Sequence, residues 1–347
     1  MHMNDIIHSA QKNECSDIHI TVGTGITVRQ YGKLMRLNTD LTDQDLECMI
    51  MEIVDDEKRA YFAAGNDLDF AHQTNLGTRA RVNVYRNKGN IAACLRIMGS
   101  TIPKLEEMNL PKQTLANIAA NPRGLVLVTG PTGSGKSTTL AAMIDYINRT
   151  RSEHILTIED PIEFVYTEDK SVIHQREIGT DVTDFSVALR SALREDPDII
   201  LLGEMRDYET IAAAVTAAET GHLVFGTLHT ISAAESIARI IDVFPPHSQN
   251  QIRTQLASVL KAVISQTLIP IAEGNGRVAA TEILLGIDAV GNLIRQDKAH
   301  QIDTIMQSNA AIGMHTLNSD LERLVRERII TKETAVRVSS NPTALRC

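Results

Sequence analysis

Gly130-Pro131-Thr132-Gly133-Ser134-Gly135-Lys136-Ser137 is the stretch on which the reading of this chain turns. Before it, Leu125-Val126-Leu127-Val128-Thr129 is a short apolar run of the kind buried on both faces of a parallel sheet. After it, Thr138-Thr139-Leu140-Ala141-Ala142-Met143-Ile144 combines good helix formers with an apolar face, which predicts a helix. A glycine-rich loop between strand and helix is the setting for phosphate binding. Gly133 and Gly135 let the backbone turn tightly, so successive N–H groups and the positive end of the helix converge on an oxyanion. The residues expected to hold a nucleoside triphosphate are Gly130, Thr132, Gly133, Ser134, Gly135, Lys136, Ser137 and Thr138. Lys136 would reach the β- and γ-phosphates, and the Ser137 hydroxyl would meet a magnesium ion.

Composition bounds what surrounds this loop. A length of 347 residues suggests about two domains. No apolar run approaches the ~18 residues needed to cross a bilayer, and Met1–Ala10 lacks a signal-peptide core, so the expected location is cytoplasmic. A formal charge of −9 and 3% aromatic residues without tryptophan argue against nucleic acid as a partner. Cys15, Cys48, Cys94 and Cys347 form no C-x-x-C pair and predict neither a zinc site nor a disulfide framework.

Residues 1–98 read as a small α+β module. Ile6–Lys12 predicts a short helix, Ser16–Val22 alternates like a half-buried strand, and Tyr31-Gly32 lies between two runs that suggest a hairpin. Thr42 with Asp45 opens a helix through Val54, and strands are expected at Asp67–Phe70, Thr78–Tyr85 and Asn90–Met98. Arg79 and Arg81 share a strand face, with Arg86 and Arg96 on or beside the neighbouring strands. Two readings stand for them: a solvated basic face, or guanidiniums that stabilise a transferring phosphoryl group from outside its site. Residues 99–112, with two prolines and little periodicity, read as an interdomain linker.

Beyond the loop helix, strand, loop and helix alternate as a parallel sheet requires. His154–Ile158 predicts a strand that ends in Glu159-Asp160-Pro161-Ile162-Glu163. Carboxylates just past a strand's carboxyl end lie where open α/β sheets bind ligands, so Glu159 and Glu163 are candidates for metal orientation and water activation. Asp198–Leu202 is an apolar strand closed by Gly203-Glu204, with glycine where many P-loop enzymes carry a magnesium-holding aspartate. Leu223–Leu228 predicts a further strand, flanked by His222 and His229. His229, at its carboxyl end, is the candidate γ-phosphate sensor or proton relay. Further on, Ser248–Leu268 reads as one long helix, Arg277–Leu285 as a closing strand, and Asp288–Met306 and Thr316–Arg328 as two more helices.

Gly130–Ser137, Thr157–Glu163, Ala188–Asp207 and Thr220–Thr230 resemble the Walker A, aspartate, Walker B and histidine boxes of the secretion-ATPase superfamily. The run Ala188–Asp198 and the phrase Gly203-Glu204-Met205-Arg206-Asp207 resemble the PilT family of type IV pilus retraction ATPases. The resemblance implies a PAS-like N-terminal domain, a RecA-like α/β ATPase domain over 113–285 and a helical region over 286–347. It also implies a homo-hexameric ring that hydrolyses ATP with Mg²⁺ to retract a pilus. The expected partners are an inner-membrane platform protein, which would hold the ring peripherally at that membrane, and a second pilus ATPase. By the same likeness Glu163 and Glu204 would be the acids of their boxes, and Arg81 and Arg96 would reach across to a neighbouring chain. Extension and type II secretion relatives usually carry a four-cysteine zinc module after the histidine box, whereas this chain has no cysteine between Cys94 and Cys347. The family's coupling motif, Ala-Ile-Arg-Asn-Leu-Ile-Arg, appears as Ala289-Val290-Gly291-Asn292-Leu293-Ile294-Arg295, with Gly291 in place of the first arginine. The alternatives are an extension-type or accessory pilus ATPase, and a nucleotide-gated scaffold with negligible turnover.

Overall fold

The computed structural model describes residues 2–99, 101–274 and 276–346; Ser100 of the expected linker and Cys347 lie outside them. Contacts divide the chain into one unit of Met1–Thr101 with Pro161–Val165, and a second of Ile102–Asp160 with Tyr166–Cys347. Within the stretch expected to be a linker, Leu105 and Leu110 are buried in the core of the second unit.

In the first unit, strands β1 (Cys15–Thr21), β2 (Gly25–Gln30), β3 (Lys33–Arg36), β4 (Leu68–Gln73), β5 (Arg79–Asn87) and β6 (Asn90–Ile97) form a six-stranded sheet in the order β3-β2-β1-β6-β5-β4. Every pairing is antiparallel. The β2–β3 turn at Tyr31-Gly32 has positive φ at both residues (49° and 81°), the geometry that matches the twist of a hairpin. Helices α1 (Met3–Lys12), α2 (Asp43–Glu52) and α3 (Asp56–Ala63) contribute Ile7, Ile50 and Phe62 to a core shared with Ile18, Val82 and Leu95 of the sheet. The Thr42 cap is reciprocal: the Asp45 amide donates to Thr42 Oγ1 (3.2 Å), and the Thr42 amide to Asp45 Oδ2 (2.9 Å).

The second unit contains α4 (Lys112–Ala119), β7 (Gly124–Thr129), α5 (Lys136–Thr150), β8 (His154–Glu159), β9 (Val172–Glu177), α6 (Phe185–Ala192), β10 (Ile199–Leu202), α7 (Tyr208–Glu219) and β11 (Leu223–Leu228). There follow α8 (Ala233–Asp242), α9 (Gln249–Val259), β12 (Leu260–Pro270), β13 (Arg277–Leu285), α10 (Asp288–Arg295), α11 (Ile302–Ser308), α12 (Leu317–Arg326) and α13 (Lys332–Val338). Its seven strands lie in the order β13-β12-β7-β11-β10-β8-β9, all parallel except the edge pair β12–β13. Strands β7, β10 and β11 are buried along their whole length, because helices cover both faces. Leu125 and Leu127 face one core with α6–α9, while Val126 and Val128 face another with α4 and α5, as the two-residue period requires.

Two expectations are corrected. Ser248–Leu268 is not one helix but α9 followed directly by β12. No glycine or proline marks the change, and Leu260 simply turns extended (φ −61°, ψ 122°) where the chain comes alongside β7. Asp288–Met306 is likewise broken, since Asp297 takes a left-handed φ of 58° between α10 and α11. Among the described residues no helix is long and apolar enough to cross a membrane.

Candidate nucleotide site

Strand order gathers the expected residues. Neighbouring parallel strands β7, β11, β10 and β8 end respectively in the phosphate loop, His229, Glu204 and Glu159, all on one carboxyl edge of the sheet. Register makes the edge tight: Gly130 N donates to Leu228 O (3.3 Å), Gly203 N to Ile158 O (2.8 Å) and Met205 N to Thr227 O (3.1 Å).

The loop's glycines have different duties. Gly130 has φ 143°, and a Cβ there would lie 2.1 Å from Gln266 O, so only glycine lets the loop leave β7 past β12. Gly133 has φ 77° with nothing within 4 Å of its would-be Cβ, an open cradle on the loop's outer side. Lys136 Nζ donates to Gly130 O (2.8 Å) and Pro131 O (3.2 Å), which places the ammonium inside the loop. Ser134 is buried and its Oγ has no hydrogen-bond partner among the described residues. Ser137 and Thr138 are half-buried in the first turn of α5, and Thr132 is exposed.

Gln266 on β12, which the misread helix had concealed, holds this loop from behind. Its Nε2 donates to Ser134 O (2.7 Å), and its Oε1 accepts from Thr139 Oγ1 (2.9 Å) in α5. Both bonds are buried, and each is worth about 1 kcal/mol. Gln266→Leu should therefore raise the KM for ATP at least tenfold with kcat at saturation within twofold of wild type, because the two bonds together exceed the roughly 1.4 kcal/mol that makes a factor of ten. An unchanged KM in steady-state phosphate release would remove Gln266 from the loop's support.

At the end of β10, the Glu204 carboxylate accepts from Arg206 Nε and lies 3.0 Å from His229 Nε2. Burial pushes the Glu204 carboxyl up, but Arg206 and His229 outweigh it and hold the group below the ordinary carboxylate range. It is thus ionised at neutral pH. The stability it contributes is present above the unfolded carboxylate pKa and lost as pH falls through the lowered folded value. Arg206 was the second residue the sequence left without a role; its adjacency to Glu204 was the available signal. Gly203, in place of an aspartate, has a local reason. A Cβ there would sit 3.3 Å from Glu159 Cα and from Ile158 O, tighter than an ordinary contact. Glu159 itself is held by Thr157 Oγ1 (2.7 Å) and Gln175 Nε2 (3.2 Å).

Other candidates fall elsewhere. His222 stands at the opposite end of β11, its Nδ1 2.9 Å from Ala217 O at the end of α7, where it closes the helix. Glu163 is exposed and groups with the first unit, as do Arg81 and Arg96. There Arg81 and Arg96 face each other across β5 and β6, each neutralised by an acid of its own sheet. Arg81 makes a two-pronged bond to Asp69 (3.0 and 2.6 Å), and Arg96 Nε lies 3.1 Å from Asp17. Arg86 instead lies over the Phe62 ring at 4.7 Å. Among the described residues no group of three or more His, Cys, Asp or Glu side chains is placed to hold a metal ion.

A doubly covered, mainly parallel sheet with a phosphate loop, a half-buried acid and an imidazole on one edge defines a P-loop nucleotide hydrolase. The family model described as "T2SSE: Type II/IV secretion system protein" matches residues 91–341. The "Type IV pilus retractation ATPase PilT" of Pseudomonas aeruginosa is 47% identical over 336 residues, covering 96% of this chain and 97% of that protein. A "Twitching motility protein" of Neisseria gonorrhoeae is 48% identical over 319 residues, 92% of this chain and 85% of that one. The solved structure titled "Crystal Structure of the Pilus Retraction Motor PilT and Bound ADP" superposes with a TM-score of 0.92 at 44% identity, covering 99% of each chain. This chain belongs to the type II/IV secretion ATPases, and within them to the PilT family of nucleotide-binding ATPases.

Proposed function

We propose that this chain is the ATP-hydrolysing motor of type IV pilus retraction. The observation that carries the reading is the shared carboxyl edge of Lys136, Glu204 and His229, in a chain similar along nearly its whole length to the Pseudomonas retraction ATPase. Lys136 and the loop amides would bind the β- and γ-phosphates, Glu204 would take a proton from the attacking water, and His229 would orient Glu204 toward the γ-phosphate. The open cradle at Gly133 and the half-buried Ser137 suit a Mg·nucleotide, with Ser137 and Glu159 as metal partners, in part through water. Bound Mg²⁺ would neutralise charge on the transferring phosphoryl group. Thr132, Ser134 and Thr138 complete the loop's contacts. Arg81 and Arg96 would act on a neighbouring subunit's nucleotide in a hexameric ring; Arg96 is 70% exposed and held by the single carboxylate of Asp17. The ring would sit in the cytoplasm against an inner-membrane platform protein, alongside a second pilus ATPase. We assign 1–98 as the PAS-like domain, 113–285 as the RecA-like core and 286–347 as the helical output region.

In α10, Val290, Gly291 and Ile294 are buried, while Arg295 is exposed and donates to Asn292 Oδ1 (2.9 Å). A Cβ at Gly291 would lie 3.1 Å from Ala257 O of α9, so glycine here lets the two helices close, and an arginine would have to part them. The motif's coupling duty therefore falls to Arg295, in our reading. Deleting the gene and scoring pili and twitching tests the function. Surface pili should accumulate while twitching stops; loss of pili would instead indicate extension, and a purified chain releasing no phosphate would leave a nucleotide-gated scaffold.

A further inference from the structure

His229 is half-exposed, so its place against Glu204 depends on the backbone that follows it into α8. That turn is tied at several points. Thr230 Oγ1 lies 2.7 Å from Ser236 Oγ, which in turn donates to Ser232 O at 2.6 Å. The Ile231 amide donates to Glu235 Oε2 (3.0 Å), and Ser232 Oγ accepts from the Glu235 amide (3.2 Å). These ties are local to residues 230–236 and would travel with the helix. Others come from outside, the shortest of them from β13. Glu282 of β13, only 7% exposed, accepts from the Ala233 amide at 2.8 Å, the first residue of α8.

Glu282 sits in a polar row that runs across the sheet directly behind the phosphate loop. Thr129, the last residue of β7, is registered against Ser265 of β12, and Ser265 against Glu282. Thr129 Oγ1 donates to Ser265 Oγ (2.8 Å) and lies 3.5 Å from Ser236 Oγ of α8. The row thus abuts the start of α8 at Thr129 and at Glu282. A buried carboxylate is a costly way to cap a helix unless the charge is used, because an unpaired group in that place loses its hydration. Here burial and the nearby Asp303 push the Glu282 carboxyl up, while the amides of Ala233 and Leu317 pull it down, so the group ties the start of α8, and the first residue of α12, to the strand frame.

We propose that Glu282 is a positioning residue of the hydrolytic site, anchoring the first turn of α8 so that His229 stays against Glu204. The inference rests on the reading of His229 as part of that site. Glu282→Gln is close to isosteric and keeps one acceptor but removes the charge; Glu282→Ala removes both. In the full-length chain, hydrogen exchange over 229–236 should speed up at least tenfold in Glu282→Gln, with the loop peptide 130–138 unchanged. Its kcat should fall about tenfold while the KM for ATP stays within twofold, and Glu282→Ala should lose more. The double variant His229→Ala/Glu282→Gln should turn over no more slowly than His229→Ala, since both changes act through one group. As a control, Asp320→Asn alters another buried acid, one that bonds Thr281 and Arg323 instead of α8. It should lower the melting temperature without changing exchange at 229–236 or kcat. His229→Ala at wild-type rate would defeat the reading of His229 itself, and the positioning role with it. With His229→Ala slow, unchanged exchange at 229–236, additive losses in the double variant, an equal effect of Asp320→Asn, or global unfolding of Glu282→Gln would each overturn the role of Glu282 alone.

Discussion

Glu204→Gln should bind ATP as the wild type does and turn it over at least a hundredfold more slowly. The expectation follows from what the side chain touches. Its carboxylate is partly buried at the end of β10, ionised by the company of Arg206 and His229, and aimed along the edge that carries the phosphate loop. An amide there preserves shape and can still accept from Arg206, so the β10–β11 edge should remain folded. It cannot take a proton from water, and loss of a positioned base of this kind costs on the order of 10²–10⁴ in rate. The acid-dependent stability linked to Glu204 should vanish in the same variant, so that the melting temperature falls less steeply than in the wild type as pH drops below the unfolded carboxylate value. Nucleotide titration and phosphate release on one preparation decide the matter. Turnover within a fewfold of wild type would take Glu204 out of the chemistry and leave Glu159 and Glu163 as the acids to examine.

Lys136→Ala should abolish productive ATP binding, and with it hydrolysis and twitching. Lys136 Nζ lies within the loop, on the carbonyls of Gly130 and Pro131, where it can exchange those partners for phosphate oxygens. Alanine leaves the loop amides and the start of α5 but removes the mobile positive charge. Because the fault is confined to one site, this variant also tests the arginines. If Arg96 serves a neighbour's nucleotide, then Arg96→Ala and Lys136→Ala chains, each inactive alone, should recover activity on mixing, since some interfaces regain both groups. Mixed rings that form yet stay inactive would return Arg96 to its pairing with Asp17 and to a purely structural role.

How far the sequence could be read depended on how local each signal was. The phosphate loop, its flanking strand and helix, the Thr42 cap and the Tyr31-Gly32 turn are set by neighbours a few residues apart, and each is found in the structure. Hydrophobic period together with the alternation of strand, loop and helix also separated the antiparallel module from the parallel one, since one sheet buries a single face and the other buries both. The periodic reading failed at Ser248–Leu268 because an apolar run after a helix looks like more helix. Only pairing with β7 and β13 makes Leu260–Pro270 a strand.

What the sequence determined by itself was therefore the candidate chemistry: a glycine-rich loop of the phosphate-binding kind, acids and an imidazole at strand ends, and the family to which they belong. What only the tertiary structure decided was which residues hold that chemistry in place. Gln266 reaches Ser134 and Thr139 from more than a hundred residues away, and Glu282 reaches Ala233 from a strand that follows two further elements. Gly203 and Gly291 are small because another segment's backbone lies within van der Waals reach, a fact with no trace in their own neighbourhoods. Contacts of this kind arise when distant segments are brought into register by the sheet. Their energies depend on burial that no local pattern encodes.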